Sequence, residues 1–224
     1  MKVSEGKVAW INSTPLDDFA TKASSPPSQK QNPEYTGKKF IHRVVFVIHD
    51  GELMIAGQNY TTKTKEDAAG NEVVEWKYKD LILAHFDNKG ILKRSYGIRR
   101  DKMNKWAKAI ISPIDLYVTP DGKHLFWVHG GIKGMRQGFA GDFLGSQVTI
   151  SKKMLLYYPA VAKVDLEKAT ISDFQYLGAN EEGKQIYFTD PNVNQVMSAD
   201  GRKLIFVGEN KAGILVWLAK MNME

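Results

Sequence analysis

The chain has no cysteine in 224 residues, which excludes a disulfide framework and any thiolate-held metal site. Long hydrophobic runs are missing too. The apolar stretches are of strand length and interrupted by charge, so none can cross a bilayer as a helix. The N-terminal stretch from Met1 to Trp10 lacks the apolar core of a secretory signal. There is no G-x-G-x-x-G opening a helix, no Gly-Lys-Ser/Thr phosphate loop, no G-x-S-x-G elbow and no H-E-x-x-H. Nucleotide binding, a hydrolase nucleophile and a zinc protease site therefore gain nothing from local motifs. His42, His49, His85, His124 and His129 have no zinc-ligand spacing, since strand residues an odd number apart face opposite ways. Neither a cofactor nor a metal is expected.

What is present is a repeated turn. Asp50-Gly51, Asp121-Gly122 and Asp200-Gly201 each stand ahead of an apolar run, and β-branched or alternating segments precede the first two, at Val44–Ile48 and Ile114–Val118. Asp tolerates a positive φ and Gly adopts it freely, so each pair is expected to close a hairpin between two strands. A second element follows each hairpin, an apolar strand, a polar turn and another strand. It is clearest at Asp80–Leu92, recurs within 155–171, and is cut short at 214–221. Four antiparallel strands per repeat make the blade of a β-propeller. The chain therefore reads as one all-β domain over 1–224, with about three blades and a leading strand near Val8–Ile11. Its turns lie about 71 and 79 residues apart, more than the roughly 40 to 50 of common propeller repeats. Three blades do not close a ring. Closure would need further blades of a longer protein, in which this chain is the C-terminal part, or a second copy.

Two insertions account for the extra length, 58–79 and 130–151. The first is a loop or a long β-ribbon. The second packs glycines around Arg136, Phe139, Asp142 and Phe143, and backbone close to such side chains makes these four residues the candidate ligand site. Residues 12–39, rich in Ser, Thr, Pro, Lys and Gln, read as a flexible loop. Charge concentrates between 93 and 108, where Lys93, Arg94, Arg99, Arg100, Lys102, Lys105 and Lys108 against Asp101 account for the whole net charge of +6. Arg94, Arg99, Arg100, Lys102 and Lys105 form a candidate polyanion patch. Met103, Trp106, Ala107 and Ile110 fall at helical spacing, so the same segment is expected as a short connector helix with a solvated basic face, and nucleic acid is not the expected partner.

Thr119-Pro-Asp-Gly-Lys-His-Leu-Phe-Trp-Val128 and Ser198-Ala-Asp-Gly-Arg-Lys-Leu-Ile-Phe-Val207 resemble the Ser-Pro-Asp-Gly-Lys strand pair of TolB-like (WD40-like) propeller repeats. The Asp80–Gly97 segment resembles bacterial β-propeller repeats. The order of motifs is similar to uncharacterised propeller-like proteins of Bacteroidetes. That resemblance carries over no established catalytic residues. The N-terminal sequence reads as cytoplasmic if the chain is whole, and export is expected if it is part of a longer protein. The leading reading is a binding or scaffold module for a protein or carbohydrate ligand, with contacts from the insertions at 58–79 and 130–145, because variable loops on a fixed scaffold carry function in repeat folds. Two other readings stand beside it: a glycan- or peptide-acting hydrolase with paired carboxylates on a propeller face, and a polyanion binder using 93–108.

Overall fold

A computed structural model describes residues 2–4, 7–35, 39–100, 107–139, 151–177, 195–209 and 216–223. In chain order these are β1 (Lys2–Ser4), β2 (Lys7–Trp10), α1 (Leu16–Thr21), β3 (Ala23–Ser24), β4 (Lys39–Val47), β5 (Leu53–Glu66), β6 (Glu72–Phe86), β7 (Leu92–Ile98), β8 (Ile114–Val118), β9 (His124–Phe139), β10 (Ser151–Asp165), β11 (Thr170–Ile171), β12 (Gln175–Tyr176), β13 (Gln195–Met197), β14 (Lys203–Glu209) and β15 (Val216–Asn222). Strand accounts for 58% of the chain and helix for 6%, which makes the protein all-β. The described strands do not close into a barrel or ring.

The chain divides into two units, Met1–Val128 with Ala162–Phe174, and His129–Val161 with Gln175–Glu224. In the first unit, β4, β5, β6 and β7 form an antiparallel meander, and β3 joins its far edge parallel to β7. A second meander runs β8-β9-β10-β11, and its strands β9 and β10 continue into the second unit, where β12 pairs with β10. The second unit also holds the antiparallel β13-β14-β15 sheet. Each Asp-Gly lies between two neighbouring strands of one sheet, β4 and β5, β8 and β9, and β13 and β14, as the turn chemistry predicts.

The core of the first unit follows the period-2 pattern. Met54 and Ala56, Leu81 and Leu83, Ile114 and Leu116, Leu125 and Trp127, and Ala162 and Val164 alternate inward to one buried cluster with Tyr96 and Ile171. Strand β6 breaks the alternation, because every residue from Asp80 to His85 is buried. Its second face lies under the preceding segment: Leu16, Phe19, Tyr35 and Phe40 line a small cleft over Ile82.

The segment expected as a loop, 12–39, holds α1 and β3 in its described part. Pro15 begins α1 and Asp17 and Asp18 occupy its first turn, where a fixed φ and negative charge both favour helix initiation. Ser95 Oγ donates to Phe19 O at 2.5 Å, Lys22 Nζ to Leu92 O at 2.6 Å, and Ser28 N–H to Asp173 Oδ1 at 2.8 Å. Its polar composition supplies the fastenings that hold it to the sheets. The connector helix expected over 103–110 is replaced, in its described part, by a single 3-10 turn at Ala107–Ala109. Met103 and Trp106, which carry half of the expected apolar face, lie outside the described residues.

The three Asp-Gly turns are not equivalent. Asp50 and Gly51 both take positive φ, 60° and 78°. In the other two only the glycine does, at 71° for Gly122 and 68° for Gly201, and the aspartate acts through its carboxylate. Asp121 Oδ1 accepts from Thr119 Oγ1 at 2.6 Å and from Lys123 N–H at 3.0 Å; Asp200 Oδ1 accepts from Ser198 Oγ at 2.5 Å and Arg202 N–H at 3.1 Å. Asp67 and Asp87 repeat the idea two positions further ahead of the glycine. Each accepts two backbone amides ahead of a positive-φ Gly70 or Gly90. These are three-residue hairpin loops ending in a left-handed residue.

Candidate functional site

The 58–79 insertion is a β-ribbon. Strands β5 and β6 remain paired from Tyr60↔Tyr78 through Glu66↔Glu72, because Thr, Val and aromatic residues suit a pleated surface and Asp67–Gly70 closes a tight turn. Pairing register sorts its side chains. One face carries Tyr60, Thr62, Thr64 and Glu66 opposite Tyr78, Trp76, Val74 and Glu72; the other carries Thr61, Lys63 and Lys65 opposite Lys77, Glu75 and Val73.

On the first face three rings gather. Tyr60 and Trp76 lie 5.0 Å apart between centroids, Tyr60 and Tyr78 6.1 Å, and Trp76 and Tyr78 6.3 Å with their planes 21° from parallel. Trp76 is 42% exposed and Val74 49%. Cross-strand rings stabilise a ribbon that two strands alone would hold only marginally. An exposed tryptophan on that support is also a rigid apolar contact surface with few rotamers to lose. On the opposite face two of the three lysines share one carboxylate, with Lys65 Nζ at 3.3 Å and Lys77 Nζ at 3.8 Å from Glu75 Oε2.

The ribbon leaves the sheet at a bulge. Between the pairs Gln58↔Leu81 and Tyr60↔Tyr78, β5 contributes one residue, Asn59, and β6 two, Lys79 and Asp80. A bulge re-aims a strand and frees backbone groups, which buried polar side chains satisfy here. Asn59 Oδ1 accepts from Asp80 N–H at 2.7 Å, and Gln58 Nε2 donates to Lys79 O at 2.8 Å. The Asp80 carboxylate accepts from Glu34 N–H and Arg100 N–H, each at 2.9 Å, and Gln58 Oε1 accepts from Ser112 N–H at 2.9 Å. Gly57 sits beside this clasp because a Cβ there would lie 2.2 Å from Ile41 O.

A second polar cluster lies under the first sheet's turn end. Glu52 accepts from His85 Nε2 and from Lys93 Nζ, both at 2.7 Å. Burial pushes the Glu52 carboxyl up, but the hydrogen bonds from Lys93 and His85 outweigh it and leave the group below its ordinary value. Burial holds the His85 imidazole below its ordinary value despite Glu52, so neutral His85 is the donor. Because the folded state binds this proton less readily than the unfolded chain, stability is expected to fall as pH drops below about 6.5. His85→Gln, which retains a donor for Glu52, should flatten that limb in a series of melting curves. A further loss below about pH 4 should persist in the variant. Asp67, Asp87, Asp121, Asp165 and Asp200 all have lowered values, through hydrogen bonds first from the amides of Asn71 and Ile91, the Thr119 hydroxyl, the Lys168 amide and the Ser198 hydroxyl respectively. Depressed carboxylates stabilise the fold above their unfolded values and lose that contribution as pH falls through the folded ones.

The residues expected to form sites are distributed differently. Arg136 and Phe139 belong to strand β9 rather than to a glycine loop, and Asp142 and Phe143 lie outside the described residues. Of the basic patch, Arg99 pairs with Glu34 at 3.0 Å and donates its backbone N–H to Gln29 Oε1. The Arg100 amide serves Asp80, Arg94 is exposed, and Lys102 and Lys105 lie outside the described residues. No group of three or more His, Asp or Glu able to hold a metal occurs among the described residues. The sequence reading named 58–79 as a ligand-contacting insertion but not the three rings within it, though their signal was there. Val74, Trp76 and Tyr78 alternate on one strand, as Tyr60, Thr62 and Thr64 do on the other.

Comparison with family models, with curated proteins and with solved structures finds no match.

Proposed function

We propose that the chain is a non-enzymatic binding module built of propeller-type blades, with its ligand taken on the aromatic face of the β5–β6 ribbon. The observation that carries this reading is the ribbon itself, a rigid projection clasped at its base that exposes a tryptophan backed by two tyrosines. Blade architecture is supported by the two successive four-stranded meanders, β4-β5-β6-β7 and β8-β9-β10-β11. Phe46, Val47 and Ile48 at the end of β4 and Val118, Thr119 and Pro120 at the end of β8 border one open depression of about 430 Å³. First strands lying side by side suit blades ranged about a common axis.

The described carboxylates favour binding over hydrolysis. A glycosidase acid needs a raised pKa and a facing partner. Asp67, Asp87, Asp121, Asp165 and Asp200 are depressed instead, and Asp80 is committed to two amides.

The test compares the parent chain with a variant in which Asn-Gly replaces residues 61–77, a two-residue turn that keeps the Tyr60↔Tyr78 pair. Both are offered immobilised neutral and acidic polysaccharides and a peptide panel, and supernatants are searched for cleavage products by mass spectrometry. The parent should be retained on at least one support without product, and the variant should melt like the parent but not be retained. Release of fragments would sink the non-enzymatic reading, and equal retention of the variant would move the site elsewhere.

A further inference from the structure

We infer that the aromatic face of the ribbon binds a neutral glycan, laid along the strands with a sugar ring over Trp76. This rests on the binding-module reading and names its ligand class.

Three observations carry it. The first is chemistry. The face offers an exposed indole flanked by Thr62, Thr64 and two tyrosine rings. The C–H groups on one side of a pyranose are weakly positive and lie flat on the negative face of an aromatic ring, while hydroxyls at the rim can bond the sugar's own hydroxyls.

The second is charge. Among the described residues, register places on this face two glutamates at the tip, Glu66 and Glu72, and one lysine at the base, Lys39, opposite Tyr60. Lys63, Lys65 and Lys77 are all on the other face. Binding of nucleic acid or an acidic polysaccharide needs cations interleaved with the rings, and here the three lysines of the ribbon lie on the side away from the rings, which leaves Lys39 at the base against two glutamates at the tip.

The third is size. Seven residues per strand at about 3.3 Å rise and two strands about 4.8 Å apart give a face of roughly 200 Å². A stable protein partner needs about 800 Å² on each side, whereas a short oligosaccharide needs only a strip.

The experiment is affinity electrophoresis of the whole chain through gels containing hydroxyethyl cellulose, galactomannan or arabinoxylan, with heparin as the polyanion. The expected result is retardation by at least one neutral polysaccharide, insensitive to added salt and weakened about tenfold or more by Trp76→Ala. Trp76→Phe should retain part of it, and the double variant Lys63→Ala/Lys65→Ala on the opposite face all of it. Because Trp76→Ala removes a ring that also holds the ribbon, the parent protein is read without substitution as well. Oxidation of Trp76 by N-bromosuccinimide, located by mass spectrometry, should slow in the presence of the retarding polysaccharide and not of heparin.

Unprotected Trp76, or Trp76→Ala retarded like the parent, overturns the site. Retardation by heparin alone that salt abolishes, or by none of the four polymers, overturns the ligand class. Binding only to a peptide panel does the same while leaving the binding module standing. Falling viscosity of a neutral polysaccharide in solution shows cleavage and removes the module reading itself, whatever Trp76 does.

Discussion

Replacing Trp127 by alanine is expected to cost about 3–5 kcal/mol, the range for deleting a large buried aromatic. Trp127 is fully buried at the centre of the first unit's core, edge-on to Phe174 with ring centroids 5.6 Å apart. It stands on β9, two residues from Leu125, and its ring fills the space between alternating side chains of both meanders. Neighbours held in two hydrogen-bonded sheets cannot collapse into the void, so the cavity cost adds to the lost burial. For a chain of this size the melting temperature should drop by about 6–20 °C. Trp127→Phe, which keeps a ring against Phe174, should lose much less. An alanine variant melting within a degree or two of the parent would mean that the two meanders do not share this core.

The second large effect is expected at Asp80. Asp80→Ala removes both carboxylate acceptors and leaves the Glu34 and Arg100 amides without them. Hydrogen bonds to a charged group contribute more than neutral ones, and two part-buried bonds of this kind are lost at once, so the loss should be about 2–4 kcal/mol. Asp80→Asn retains the size but turns one acceptor into a donor facing an N–H, and should recover only part. Hydrogen exchange separates this from a general loss of stability. Protection should fall first at the bulge and along residues 60–78, because the clasp sets where the ribbon leaves the sheet. Uniform loss of protection across the first unit would show that Asp80 holds the core rather than the ribbon.

The turn residues made much of this fold legible. Asp121-Gly122 and Asp200-Gly201 announced hairpins because a glycine with positive φ and an aspartate capping its own turn are local requirements, satisfied within four or five residues. The second half of β6 was legible for a related reason, as an apolar run between Asp80 and Asp87-Asn-Lys-Gly90. Within 12–35, α1 and β3 were not legible. Ser, Pro and Lys content looks the same whether it faces water or hydrogen-bonds to Leu92 and Gly97 of β7 and to Asp173. The partners of the basic segment were hidden for the same reason. Composition shows that Arg99 is charged, but only folding brings Glu34 to it from 65 residues away.

The candidate site divides in the same manner. Sequence alone determined that the chain is all-β, where its hairpins turn, and that an insertion at 58–79 separates two strands, because turn geometry and period-2 alternation are properties of a few neighbouring residues. Tertiary structure decided that this insertion is a continuous ribbon, that a one-residue bulge aims it, and that Tyr60 meets Trp76 and Tyr78 on one face while the lysines occupy the other. A register is a relation between two strands. Shifting it by one residue would turn every ring to the opposite face, and here it is held by Gln58, Asn59 and Asp80, whose partners include residues far away along the chain.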